Sequence, residues 1–219
     1  MKKNKSERKF EKKHLIIFPR IVFSLFILMI VFIVPLIFIS GSKSFYLNRL
    51  NENNCYDMIS EKDCKDLALN ALNYLKGKET IDSRYSVQEQ GHFTDVKKIL
   101  DFAKAFSLLL LIFVMVYFIL FYFLDIKEIF NTLKLAGWMI LSSVVLLIVL
   151  ITMNFSGTFL FFHEMLFPQG NWTFPFDSVI ITVFSEQFFV RAALTSFVLS
   201  LSFGLLVLGL SFLWCKKNE

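Results

Sequence analysis

The chain has 219 residues, of which 56% are apolar and 17% aromatic, and its mean hydropathy is +0.60. This composition excludes a soluble globular domain and is typical of an integral membrane protein. The formal net charge is +5, and residues 1–13 alone hold seven Lys/Arg and two Asp/Glu, so the rest of the chain is formally neutral. The basic excess therefore indicates a cytoplasmic tail close to anionic lipid, and nothing else in the charge pattern supports nucleic-acid binding.

Four apolar runs of about 20 residues are long enough to cross the ~30 Å hydrocarbon core as helices. They are predicted at about 21–39, 105–124, 135–153 and 192–214. The first run is longer than the apolar region of a signal peptide, and no A-x-A-like cleavage site follows it. It is therefore expected to be a span of the protein.

Four spans place both termini in the cytoplasm if the basic tail, residues 1–15, lies there. Residues 16–219 are then expected to form a single four-helix membrane domain, with extracytoplasmic loops at about 40–101 and 155–191. The predicted fold class is all-α integral membrane, with a small extracytoplasmic cap and an outer re-entrant or interfacial aromatic segment. The chain has three histidines. The first of them, His14, lies in the basic tail and is expected to be an ordinary solvated or interfacial residue.

The first outer loop holds two cysteines and a short amphipathic pattern. Cys55 and Cys64 lie in a compartment where a disulfide is allowed, although their spacing does not require one. The stretch SEKDCKDLALNALNYLKG has apolar residues at helical spacing and ends at Gly77. A short amphipathic helix is predicted here.

A second helix is predicted to begin at SVQEQGHFTDVKK and to continue into the second span. Ser86 and Glu89 form a capping-box pattern at its start. His92 and Asp95 follow at a spacing of three, which would let the carboxylate accept a hydrogen bond from the imidazole and fix its tautomer. The alternative is that these residues are only the solvated entry to a membrane helix.

The third apolar stretch, residues 133–167, is about 50 Å long as a straight helix and exceeds the hydrocarbon thickness. The chain is expected to leave the span near Asn154, Ser156 and Gly157, and FLFFHEMLF would then lie in the outer interface until Pro168 and Gly170 end it. His163 would lie close to both lipid and water. An ionisable group at this depth favours a functional role, although a histidine that merely reaches the headgroups is the alternative.

Motifs of other enzyme classes are incomplete. His163 and Glu164 begin an H-E-x-x-H pattern, but its fifth position is Phe167, so the second metal ligand is missing. A metal site built from His92, Asp95 and His163 would require the two outer segments to meet and stays a minority alternative. No G-x-S-x-G nucleophile motif is present.

Two stretches, SVQEQGHFTDV and FFHEMLFPQGNWTFPFDSVIITVFSEQFF, resemble the bacterial lipoprotein intramolecular transacylase family Lit. The similarity extends over nearly the whole chain: a basic N-terminus, four spans, an outer S-x-x-E-x-x-H-x-x-D-V segment and an outer histidine motif rich in aromatics. Pro168 departs from the family pattern, which has a second aromatic there, and Ser185 stands where a proline is frequent.

The resemblance implies an enzyme that moves the sn-2 acyl chain of a diacylglyceryl-modified cysteine to the α-amine of the same cysteine. The family histidines correspond to His92 and His163. His92 is expected as general base because Asp95 is placed to orient it. His163 is expected as the partner that protonates the leaving oxygen or polarises the carbonyl. The reverse order and an acyl-imidazole intermediate both stay open. No cofactor or resident metal is expected.

The expected partners are diacylated bacterial lipoproteins and membrane lipid, with a monomer favoured. Aromatic side chains near His163 are expected to border the acyl chain: Phe162, Phe167 and Trp172. Two alternative functions use the same residues differently. One is a metal-dependent membrane hydrolase, and the other is a non-catalytic membrane protein such as an assembly factor, in which the two histidines would lie far apart.

Overall fold

The computed structural model describes residues 5–50 and 55–217, and side chains within this part from residue 16 to residue 216. The basic tail that the sequence predicts lies outside the described side chains, as does the side chain of His14. The described part consists of helices joined by loops, with no strand. The helices are α1 (Lys5–Ser40), α2 (Lys43–Leu50), α3 (Cys55–Met58), α4 (Glu61–Leu75), α5 (Val87–Leu124), α6 (Ile126–Leu166), α7 (Val179–Val183) and α8 (Glu186–Lys217).

Four of these helices, α1, α5, α6 and α8, are long and apolar enough to cross a membrane. The predicted all-α class with four transmembrane helices is therefore confirmed. The helices extend beyond the predicted spans. The first part of α5, residues 87–104, carries six charged residues and precedes the apolar run that begins near residue 105. This part is too polar for the hydrocarbon core, so we expect it to lie outside the membrane interior.

Helix α6 bends where the sequence predicts that the third span ends. At 41 residues it would measure ~60 Å if straight. Asn154 leaves helical geometry with φ −161° and ψ 87°, and its side-chain oxygen accepts a hydrogen bond from the backbone N–H of Gly157. The expected break is confirmed, and the expectation that the chain leaves the membrane span at this point stays a prediction. Because Asn154 caps a new helical turn, the chain continues as a helix through FLFFHEML.

The chain divides into two compact units, and each of the four long helices contributes residues to both. The first unit contains Met1–Ile33, Phe106–Val145 and Leu199–Glu219. Here Arg20 of α1 pairs with Glu128 of α6 at 2.6 Å. Helices α6 and α8 approach closely at Gly137, where an added Cβ would meet Leu208 at 2.5 Å. Small residues allow such close packing between membrane helices.

The second unit contains Val34–Ala105 and Leu146–Val198. Its core is aromatic and aliphatic and includes α4, whose first turn is capped by Ser60 and which ends just before Gly77. The predicted amphipathic helix is confirmed. Cys55 and Cys64 form a disulfide within this core, so the bond that the sequence left open is present. Whether the chain behaves as a single membrane domain stays a prediction.

Candidate active site

His92 lies in the second turn of α5, and the start of this helix is fixed by the capping box that the sequence predicts. The Glu89 carboxylate accepts from the Ser86 backbone N–H at 2.5 Å, and the Ser86 hydroxyl accepts from the Glu89 N–H at 3.3 Å. The second Glu89 oxygen accepts from the backbone N–H of Ile180 in α7 at 2.7 Å. Glu89 is only 2% exposed, so these backbone donors replace the water that a buried carboxylate loses.

His163 lies in the last turn of α6, after the bend at Asn154. Its Nδ1 is 2.9 Å from the backbone carbonyl oxygen of Phe159, one helical turn earlier. A carbonyl oxygen only accepts hydrogen bonds, so Nδ1 carries the proton and donates it. In the neutral ring, Nε2 of His163 is therefore the nitrogen with the free lone pair.

The two histidines meet, although 71 positions separate them in the sequence. Their ring centroids are 6.3 Å apart with an angle of 27° between the ring planes, and each residue is 7% exposed. Phe167 contacts both rings, with its centroid 4.7 Å from His92 and 5.7 Å from His163. A substrate that reaches one imidazole thus lies within a few ångströms of the other.

Aromatic side chains surround this pair, including the three that the sequence predicts. Trp172 and Phe162 lie 5.1 Å and 5.5 Å from His163, and Phe167, only 4% exposed, lies at the centre of the cluster. Phe162 is 46% exposed, so it is placed at the edge of the cluster. A role of these residues in binding the acyl chain stays a prediction.

Asp95 does not do what the sequence predicts. Its carboxylate accepts hydrogen bonds from Lys98 at 3.0 Å, from Asn171 at 2.8 Å and from Gln169 at 3.1 Å. His92 Nδ1 is buried and has no hydrogen-bond partner. The expected contact between Asp95 and His92 is thus wrong, because amides from the loop after α6 occupy the carboxylate instead.

His92 and His163 are close to each other, but together with Asp95 they do not form a set of three metal ligands. Across residues 5–50 and 55–217, no cluster of three or more His, Cys, Asp or Glu side chains is placed to hold a metal ion.

Burial among aromatic rings disfavours a charged imidazole. It lowers the pKa of His92 from 6.5 to about 4, with a further lowering from neighbouring His163 and a small opposing effect of Asp95. Burial also lowers the pKa of His163, and the hydrogen bond to the Phe159 carbonyl opposes this. Burial therefore favours the uncharged form of both rings at neutral pH.

Side-chain ¹⁵N NMR of the histidines will test both the charge and the tautomer. At pH 6 an unperturbed imidazole is roughly three-quarters protonated. We expect His92 to stay neutral there and to become protonated only as the pH falls toward its lowered pKa, and we expect His163 to show protonated Nδ1 and unprotonated Nε2. A His14→Gln background removes the third signal. Titration of His92 near pH 6.5 would contradict the effect of burial on its pKa, and the opposite tautomer of His163 would contradict the hydrogen bond to Phe159.

Comparison with known proteins gives the family. The sequence model of the lipoprotein intramolecular transacylase family Lit matches residues 20–189, which is most of the chain. The chain belongs to this family. Lit proteins are acyltransferases, so the chain is a multi-pass membrane enzyme of that class. Among curated proteins, none matches the chain significantly.

Solved structures of Lit from Bacillus cereus have the same fold. One superposes with a TM-score of 0.81 at 22% identity, covering 94% of this chain and 98% of that chain. A variant of the same enzyme in which a histidine is replaced by arginine gives 0.80 at 20% identity, covering 98% of both chains. A third structure, with an alanine in place of a histidine, gives 0.79 at 20% identity, with 96% and 98% covered.

Sequence reasoning missed several residues that surround the two histidines in the candidate site. The carbonyl of Phe159 sets the His163 tautomer, and its ring lies 4.0 Å from that imidazole. Phe174 lies 5.5 Å from His92. Phe159 had a detectable signal, since it precedes His163 by one helical turn. Phe174 and Asn171 had none, because they follow a break in regular structure.

Proposed function

We propose that this chain moves the sn-2 acyl group of a diacylglyceryl-cysteine lipoprotein onto the α-amine of the same cysteine. The observation that supports the proposal is the pair of neutral imidazoles, 6.3 Å apart, within one aromatic cluster. An ester aminolysis must remove a proton from the attacking amine and deliver one to the leaving alkoxide. Two adjacent imidazoles can perform both tasks near neutral pH.

The reaction balances without another reactant. The α-amine nitrogen attacks the sn-2 carbonyl carbon and forms a cyclic intermediate of eight ring atoms: the nitrogen, Cα, Cβ, Sγ, two glyceryl carbons, the ester oxygen and the carbonyl carbon. The bond from carbonyl carbon to glyceryl oxygen then breaks, and the proton lost by the amine goes to that oxygen. Because amine and ester belong to one molecule, orientation supplies much of the catalysis, with effective molarities on the order of 10⁵ M or more.

We assign the base to His163 and the donor role to His92, which reverses the order expected from the sequence. Nε2 of His163 holds the free lone pair because the Phe159 carbonyl holds the proton at Nδ1. His163 takes the amine proton and returns it to the glyceryl oxygen. His92 is uncharged and donates a hydrogen bond from Nε2–H to the carbonyl oxygen as negative charge develops there.

We further propose that the termini lie in the cytoplasm and that the histidines face the extracytoplasmic side of the bacterial cell membrane, where diacylated lipoproteins are the substrate. The basic excess of residues 1–13 supports this orientation. The aromatic cluster would then lie near the lipid boundary, and the acyl chain would pack against Phe162, Phe167 and Trp172. A monomer contains both histidines and is sufficient for the chemistry.

Mass spectrometry of a synthetic diacylglyceryl-cysteine peptide incubated with the purified enzyme in lipid nanodiscs will test this proposal. The expected product has the same mass as the substrate, but its fragments carry the acyl chain on nitrogen. A peptide with an acetylated α-amine is the matched control, and it should remain unchanged because it has no nucleophile. Release of free fatty acid, or no reaction of the unblocked peptide, would contradict the transacylase assignment.

A further inference from the structure

The loop between α6 and α7 supplies half of the aromatic side chains that contact the histidine pair. We call residues 167–174 the aromatic loop. Phe167 and Phe174 contact His92, and Trp172 contacts His163. The loop turns at Gly170, whose φ of +75° suits glycine and strains other residues. Since the loop has no regular secondary structure, its position depends on the packing of its aromatic rings and on the hydrogen bonds that hold it.

Three of these hydrogen bonds attach the aromatic loop to α5, and two of them involve the neighbours of Trp172. The Gln88 side-chain amide donates to the backbone carbonyl of Thr173 at 3.0 Å. The Asn171 side-chain amide donates to the Asp95 carboxylate at 2.8 Å. Gln88 lies one helical turn before His92, and Asp95 lies one turn after it. The loop is therefore held on both sides of this histidine.

The attachment points on the loop lie as close to Trp172 in the sequence as those on the helix lie to His92. Asn171 and Thr173 are the immediate neighbours of Trp172, whose ring lies 5.1 Å from His163. The Asp95 carboxylate oxygen that accepts from Asn171 also accepts from Gln169, so the carboxylate holds the loop by two amides. A hydrogen bond to an ionised acceptor is stronger than one between neutral groups.

We propose that Asp95 is a positioning residue for the transacylation: acting through Asn171, it fixes the aromatic loop, and with it Trp172, against the two histidines. The inference rests on the proposed function for its effect on activity. Asp95 is not a catalytic residue, because it touches neither imidazole. A displacement of about 1 Å in a reacting group can cost about 100-fold in rate, so releasing the loop should lower kcat.

Exchanging the two side chains tests whether the contact or the carboxylate at position 95 matters. In Asn171→Asp, two carboxylates face each other, and the loop should be released. In the double variant Asp95→Asn/Asn171→Asp, the amide of position 95 donates to the carboxylate of position 171, so the same bond exists with reversed polarity and the same total charge. The double variant should therefore recover what the single variant loses.

The measurements are kcat on the diacylglyceryl peptide and acrylamide quenching of Trp172 in a Trp138→Phe/Trp214→Phe background. Asn171→Asp should lower kcat about 10-fold to 100-fold and increase quenching of Trp172. The double variant should return both values to within about threefold of the background. The kcat and the Trp172 quenching of Asp95→Asn alone should lie between those of the background and those of Asn171→Asp, because the side-chain oxygen of the new asparagine still accepts from Asn171.

Three outcomes would overturn the inference. If the double variant regains normal quenching but stays as slow as Asn171→Asp, Asp95 acts directly on substrate or on His92. If quenching of Trp172 is the same in every variant, the contact does not hold the loop. If the double variant is as strongly quenched as Asn171→Asp, restoring a complementary amide–carboxylate pair does not restore the loop, so the contact between positions 95 and 171 does not fix it. The quenching measurement needs no substrate, so it tests the inference about the loop independently of activity. If the background protein yields no N-acylated product, that result contradicts the proposed function and not the role of Asp95 in holding the loop.

Discussion

His163→Asn is expected to lower kcat about 10³-fold or more, within the range for loss of a general base. The asparagine amide occupies nearly the position of Nδ1 and can still donate to the Phe159 carbonyl, so the last turn of α6 keeps its hydrogen bond. It has no basic nitrogen at the position of Nε2. The measurement is the initial rate of O-to-N acyl transfer on the synthetic lipopeptide, with protein amount and melting temperature recorded for each variant.

His92 variants separate the two proposed roles. His92→Ala is expected to lower kcat about 10²-fold to 10³-fold, as does loss of one hydrogen-bond donor to a developing oxyanion. His92→Gln keeps an N–H donor near the position of Nε2 and should recover part of this loss, whereas no amide can replace a base at position 163. His14→Gln, in the basic tail, is the control and should retain full activity. An active His163→Asn enzyme, or an equally inactive His92→Gln and His163→Asn pair, would refute the assigned order.

Glu89→Ala is expected to destabilise the fold. Glu89 is buried, and its two oxygens accept from the backbone N–H groups of Ser86 and Ile180. Truncation leaves both donors without a partner at about 1–3 kcal/mol for a buried group, and we expect a total of about 2–3 kcal/mol. For a chain of this length, that lowers Tm by roughly 5–10 °C.

Thermal unfolding followed by tryptophan fluorescence in detergent measures this effect. The Tm of Glu89→Gln should lie between those of wild type and Glu89→Ala, because the amide oxygen replaces only one of the two acceptors. Glu164→Ala removes an exposed carboxylate one position after His163 and should change Tm little. A Glu89→Ala protein that melts together with Glu164→Ala would show that the link between α5 and α7 contributes nothing measurable.

The sequence predicted local features well where a short pattern has one physical solution. Ser86 and Glu89 satisfy each other's backbone donors whenever the following residues are helical, so the start of α5 was correct. The excess length of residues 133–167 required a bend, and α6 bends at Asn154. The helix then continues, because the Asn154 side chain caps a new turn.

For the candidate site, sequence patterns identified both histidines but misjudged the surroundings of His92. A spacing of three on a helix made Asp95 a reasonable partner for His92. The carboxylate instead accepts from Asn171, 76 positions away. Local spacing says which side chains can meet on one helix, but it does not include a competing donor that a distant loop brings to the same oxygen.

By itself, the amino-acid sequence determined a four-span membrane protein with one polar segment ahead of the second span and one aromatic histidine segment after the third. Hydropathy and helical periodicity are properties of neighbouring residues, so they are legible in a single chain. Tertiary structure alone decided that the two imidazoles lie 6.3 Å apart, which nitrogen of His163 holds its proton, and that Asp95 holds a loop. Each of these depends on groups that only the folded backbone brings within hydrogen-bond or van der Waals distance.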